Sequence, residues 1–158
     1  MKKTRFQSTN RIAPNKLLGQ NFLRSAKTIR AIIDAAYISP DDTVLEVGPG
    51  RGVLTDELIS RAGRVITIEK DPRFINLLEK QYANTKNLEI ICGDILRIDR
   101  EKIGLRDGAY KIVANLPYYL TSHFLRLFLE NKPRPHMMVV MVQKEVARED
   151  KLFDDVEE

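Results

Sequence analysis

Four short segments of this chain carry the residue types best suited to chemistry. Asn115-Leu116-Pro117-Tyr118 sets a side-chain amide, a rigid kink and an aromatic ring side by side. An aromatic amine is a poor nucleophile because its nitrogen lone pair is delocalised into the ring. The Asn115 side-chain oxygen and the Leu116 backbone carbonyl offer two acceptors for its N–H hydrogens. That favours a pyramidal nitrogen with its lone pair aimed at an electrophilic methyl. Pro117 fixes the turn and donates no N–H of its own. Tyr118 offers a plate on which a base could stack, a contact worth about 1–3 kcal/mol. The same residues equally suit an ordinary proline turn after a strand, with Tyr118 and Tyr119 as packing.

The other three segments describe a nucleoside site. In Glu46-Val47-Gly48-Pro49-Gly50-Arg51-Gly52, three glycines let the backbone turn tightly and approach a ligand without Cβ obstruction. Any strand-to-helix turn can use glycine, so this segment alone is weak. Glu69 follows Gly48 by 21 residues, the spacing at which an acid accepts hydrogen bonds from both ribose hydroxyls of an adenosine-containing cofactor. A solvated surface acid is the alternative. Asp94 suits the exocyclic amine of adenine, or else an Asp turn or helix cap. Pro49 departs from the phosphate-binding spacing G-x-G-x-x-G, so S-adenosylmethionine is favoured over NAD as cofactor. No metal site is expected. Cys92 is the lone cysteine and reads as a strand-core residue; His123 and His136 fall on no motif and read as surface or packing histidines.

These segments need a scaffold, and the hydropathy pattern supplies one. Ser25 caps a helical pattern through Ile29, Ile32, Ile33 and Ala36, ended by Pro40. Five apolar, β-branched runs follow: TVLEV (43–47), RVITIE (64–69), LEIIC (88–92), YKIVAN (110–115) and HMMVVMVQ (136–143). Helical patterns separate them: one near 53–61, one opened by Asp71-Pro72, and one from a Thr121 cap to about Leu129. Alternation of this kind predicts an α/β fold, a mostly parallel sheet with helices on both faces. Ligands of such sheets bind beyond the carboxyl ends of the strands, where all four segments fall.

The chain has 158 residues, with 26 Lys and Arg against 22 Asp and Glu, and the charge is unevenly spread. Residues 1–33 carry eight basic residues and no acid, residues 34–144 are nearly balanced, and residues 145–158 hold two basic and seven acidic residues. A basic, acid-free arm suits contact with a phosphate backbone, or is a solvated leader. The expected organisation is a flexible basic arm over 1–16, a catalytic domain over 17–148 and an acidic tail over 149–158. No apolar run approaches the ~18 residues of a spanning helix, and no apolar core follows the basic N-terminus as in a secretory signal. A cytoplasmic protein without a membrane partner is expected, which a single cysteine also suits.

Gly19-Gln20-Asn21-Phe22-Leu23, Val44-Leu45-Glu46-Val47-Gly48-Pro49-Gly50, Asn115-Leu116-Pro117-Tyr118 and Met141-Val142-Gln143-Lys144-Glu145-Val146-Ala147 together resemble the KsgA family. These are the small-subunit ribosomal RNA adenine N6-dimethyltransferases, related to the Erm enzymes that methylate large-subunit RNA. The resemblance covers about residues 16–148. It implies a Rossmann-like methyltransferase, working as a monomer, that moves methyls from S-adenosyl-L-methionine to N6 of two neighbouring adenines in a hairpin loop of ribosomal RNA within the pre-ribosomal small subunit. Carried over by position, Asn21 and Leu23 would lie over the methionine and sulfonium region and Gly48 under the methionine, with Gly50 a further cofactor-binding residue. Glu69 would hold the ribose, Asp94 the adenine amine, and Asn115 would face the transferring methyl, with Asn115 to Tyr118 as the catalytic face.

After Ala147 the sequence departs from the family, which continues with a hairpin and a smaller helical domain. The chain therefore reads as an incomplete catalytic domain, expected to keep its cofactor residues but to bind RNA weakly and methylate poorly. Dimethyladenosine formed at the family's full rate by these 158 residues alone would contradict that expectation. A non-catalytic RNA-binding fragment used in ribosome assembly is the competing reading.

Overall fold

A computed structural model of the chain describes Ile12, Leu23 and residues 25–143. Its elements run α1 (Ala26–Ala35), β1 (Thr43–Val47), α2 (Val53–Ile59), β2 (Arg64–Glu69), α3 (Pro72–Gln81), β3 (Leu88–Cys92), β4 (Lys111–Asn115), α4 (Tyr118–Glu130) and β5 (Met137–Met141). Apart from Ile12, the arm over 1–16 lies outside the described residues, as do Asn21 and the acidic tail.

Local chemistry starts two of the helices as the sequence predicts. Ser25 Oγ accepts from Thr28 N–H at 3.3 Å at the head of α1. Asp71 accepts from Arg73 N–H at 3.0 Å while Pro72 occupies the first turn of α3, where its missing N–H costs nothing. Helix α4 departs from expectation: it begins at Tyr118, directly after Pro117, and not at Thr121. Thr121 sits inside it, fully buried, with Oγ1 bonded back to the Pro117 carbonyl at 3.2 Å. The hydroxyl that reads as a cap thus satisfies a carbonyl one turn earlier.

The strands pair in the order β3-β2-β1-β4-β5, all parallel. Burial follows from alternation. Leu45, Ile66, Ile68, Ile112 and Ala114 point to one face, against Phe124 and Phe128 of α4 and Tyr110. Val44, Val65 and Val113 point to the other, against Ile32, Ile33 and Ala36 and against Leu54 and Leu58 of α2. Glu46, Glu69 and Asn115 share the phase of this second face. Register then aligns the strand ends: Val47 pairs with Ile68 and Ala114, Glu69 with Cys92, and Asn115 with Met141. Strand β3 is an edge, so Cys92 is exposed at its end and is not a core residue. All five residues of β5 at the opposite edge are partly exposed.

Arg100 anchors the far end of α4. It is buried, with Nη1 donating to the carbonyls of Leu127, Asn131 and Pro133 and Nη2 to that of Lys132, and its guanidinium lies 4.9 Å from the Phe128 ring. Arg100→Met is expected to cost about 2–4 kcal/mol in denaturant unfolding, since it strands several carbonyls in the interior. Lys102→Met, which breaks only the exposed pair with Asp99, should change stability by less than about 0.5 kcal/mol. Equal effects would refute the anchoring role.

Candidate active site

The aligned strand ends open onto one cavity of about 490 Å3. Its lining includes Leu23, Gly48, Gly50, Glu69, Asp94, Asn115, Leu116 and Pro117, so of the ten residues singled out by sequence, eight meet here. Asn21 is not among the described residues. Tyr118 does not line the cavity: it is 59% exposed, while Tyr119 beside it does line it, and the two rings meet edge-on at 5.9 Å.

The glycine turn is built by alternation of handedness. Gly48, Gly50 and Gly52 have φ of 69°, 54° and 80°, a left-handed backbone at every second residue that side chains with a Cβ rarely adopt. Gly48 N–H closes the turn onto the Ile68 carbonyl at 2.9 Å, which leaves a smooth wall beneath the cavity.

Glu69 ties this turn to β2. Its Oε2 accepts from Gly50 N–H at 3.1 Å, and Oε1 from Lys70 and Asp71 N–H at 2.9 Å each. Burial pushes its carboxyl up, although the three backbone donors oppose the shift. The backbone therefore orients this acid, and one lone-pair site, on Oε2, remains for an incoming hydroxyl. Asp94 is held by Leu96 N–H on Oδ1 at 3.1 Å and by Lys70 Nζ on Oδ2 at 3.1 Å. Burial works against its ionisation, but those donors keep its carboxyl below the usual range.

Asn115 is the last residue of β4 and half-buried; Leu116 N–H donates to the Met141 carbonyl at 3.1 Å, and Pro117 then turns the chain into α4. Arg51 Nη2 reaches the Ile12 carbonyl at 2.7 Å, bringing a residue of the N-terminal segment to the glycine turn. Among the described residues no cluster of His, Cys, Asp and Glu could hold a metal ion, and no helix is long and apolar enough to cross a membrane.

Sequence reasoning missed Glu46, Lys70, Tyr119 and His123, all of which border the cavity. Tyr119 and His123 are spaced four apart, the interval that puts two side chains on one helical face. With the helix start placed at Thr121, that spacing carried no meaning. The start at Tyr118 restores it.

A five-stranded parallel sheet in this order, with a cavity beyond its carboxyl ends, defines a Rossmann-like fold, which this chain shares with solved methyltransferases. Comparison with known proteins narrows the class. The sequence profile of the ribosomal RNA adenine dimethylase family matches residues 12–157, and the chain belongs to that family. It is 52% identical over 133 residues to a protein of Dehalococcoides mccartyi named ribosomal RNA small subunit methyltransferase A, covering 84% of this chain and 46% of the relative. A protein of the same name from Moorella thermoacetica is 43% identical, covering 86% and 50%.

Among solved structures, the 23S ribosomal RNA methyltransferase ErmE superposes with a TM-score of 0.68 at 35% identity, covering 82% of this chain and 51% of that one. A dimethyladenosine transferase of Plasmodium falciparum gives 0.70 at 33% identity, covering 80% and 45%. The chain spans about half the length of the curated relatives it matches.

Proposed function

We propose that this chain is the cofactor-binding and catalytic part of an S-adenosylmethionine-dependent ribosomal RNA adenine methyltransferase. Its products would be N6,N6-dimethyladenosines at two neighbouring adenines of a small-subunit hairpin loop, formed in the cytoplasm during ribosome biogenesis. The observation that carries this reading is the meeting of Gly48, Glu69, Asp94 and Asn115 in a single cavity at the ends of four parallel strands. Family membership and the names of the relatives support the same substrate.

The residues present fit the cofactor. Glu69 would hold the ribose and Asp94 the adenine amine. Gly48 and Gly50 would lie beneath the methionine, with Leu23 beside it. When bound, S-adenosylmethionine supplies a methyl group on a cationic sulfur. The chain's own work is then proximity and alignment. Asn115 Oδ1 and the Leu116 carbonyl accept the N–H hydrogens of the target amine and stabilise the positive charge that builds on its nitrogen. Pro117 holds the two acceptors in line, and the exposed Tyr118 stacks on the extruded base. Neither a covalent intermediate nor a strong general base is required. The basic residues from Lys2 to Arg30 hold RNA phosphates.

The test is methyl transfer to small-subunit ribosomal particles that lack dimethyladenosine, followed by mass spectrometry of the nucleosides. Methylated adenosine should form only with S-adenosylmethionine present. Label on protein or small molecules, and none on RNA, would overturn the reading. RNA binding should weaken steeply as salt rises, because phosphate contacts release counterions; a flat response would remove the arm's role.

A further inference from the structure

Glu46 is a buried titratable group that the roles above leave unused. It is 1% exposed and borders the cavity, on the same sheet face as Glu69 and Asn115. Its Oε2 accepts from Thr55 Oγ1 at 2.7 Å, while its Oε1 is buried without a hydrogen-bond partner. Thr67 Oγ1, on the residue of β2 paired with Glu46, is likewise buried and unpartnered.

The groups that face this carboxyl are Thr55 and Asp56 from α2, Thr67 and Glu69 from β2, and the Tyr82 hydroxyl at the end of α3; its partner on β4 is the apolar Val113. None of them carries a positive charge. Burial pushes the carboxyl up to about 8; the Thr55 hydroxyl opposes the shift, and the charges of Glu69 and Asp56 add to it. A carboxyl so placed is protonated near neutral pH until a cation arrives.

We propose that Glu46 is the countercharge for a cationic occupant of this cavity, releasing its proton when the sulfonium form of the cofactor binds and keeping it when the neutral thioether form is bound. The inference rests on the cofactor reading given above. Its consequence is a cavity that prefers the sulfonium substrate over the thioether product, so that loss of the sulfur's charge loosens the spent cofactor. The sign follows from linkage: an occupant that lowers the carboxyl's pKa expels a proton, so affinity rises with pH up to the pKa of the free site.

The experiment is calorimetric titration of the chain with S-adenosylmethionine and with S-adenosylhomocysteine, at several pH values and in buffers of different ionisation enthalpy. The sulfonium ligand should bind with proton release and gain up to about tenfold in affinity per pH unit below about pH 8. The thioether should respond less, and Glu46→Gln should flatten the sulfonium response and narrow the preference between the two ligands. Thr55→Val, which removes the hydroxyl that favours the charged carboxyl, should move the wild-type pH midpoint upward, a readout that stands even if Glu46→Gln does not fold. Equal pH slopes for the two ligands, or an unmoved midpoint in Thr55→Val, overturn the role of Glu46 and leave the cofactor reading standing. Failure of both ligands to bind the wild-type chain at any pH overturns the cofactor reading and this inference with it.

Discussion

Asn115→Ala is expected to lower the rate of methyl transfer to adenine by about 10²–10³-fold, the usual cost of removing one acceptor or donor aimed at developing charge. Asn115 ends β4 and is half-buried, with its backbone held in the ladder and its side chain at the cavity. The substitution should therefore leave the fold intact and change the Kd for S-adenosylmethionine by no more than about tenfold, the worth of one hydrogen bond. Asn115→Asp keeps an acceptor oxygen and should retain more of the rate than alanine. Single-turnover transfer to ribosomal RNA, with cofactor binding measured alongside, separates the two effects. A variant with unimpaired transfer would return the Asn-Leu-Pro-Tyr segment to an ordinary strand-ending turn.

Glu69 should show the opposite signature. Its two oxygens receive three backbone N–H groups, so Glu69→Gln places an amide nitrogen against a backbone donor whichever way it turns. The glycine turn then loses its tie to β2, and the ribose loses a charged acceptor. The Kd for S-adenosylmethionine should weaken by about 10²-fold or more, at roughly 1.5–3 kcal/mol per hydrogen bond to a charged group. Thermal stability should fall with it, since buried donors are left unsatisfied. Calorimetric titration reads the first effect and thermal unfolding the second; a Kd within about threefold of the wild type, less than half the worth of one such bond, would remove Glu69 from the ribose.

Much of this was legible in the sequence because the scaffold follows from short-range rules. Strand runs of β-branched residues and a cap at Ser25 or Asp71 are local signals, and the structure places these strands within two residues of their predicted limits, TVLEV, RVITIE and LEIIC matching at both ends. The convergence of Gly48, Glu69, Asp94 and Asn115 follows from parallel register, because each ends its strand or lies just beyond it. What escaped depends on where an element starts and on which groups the fold brings together. Cys92 reads as core until β3 is known to be an edge strand. Thr121 reads as a cap because its hydroxyl's actual acceptor, the Pro117 carbonyl, is invisible until the helix is seen to start earlier. Lys70 gains meaning only from Asp94, 24 residues away and one strand over. Glu46 sits in the glycine motif itself, yet its unpartnered oxygen can be recognised only once α2 has folded across it.

The most direct test of the account is an experimental structure of this chain with S-adenosylhomocysteine. The ribose hydroxyls should lie on Glu69, the adenine amine on Asp94, and the sulfur should face Asn115 above the turn of Gly48 and Gly50. A ligand bound elsewhere, or one whose sulfur points away from Asn115, would contradict it.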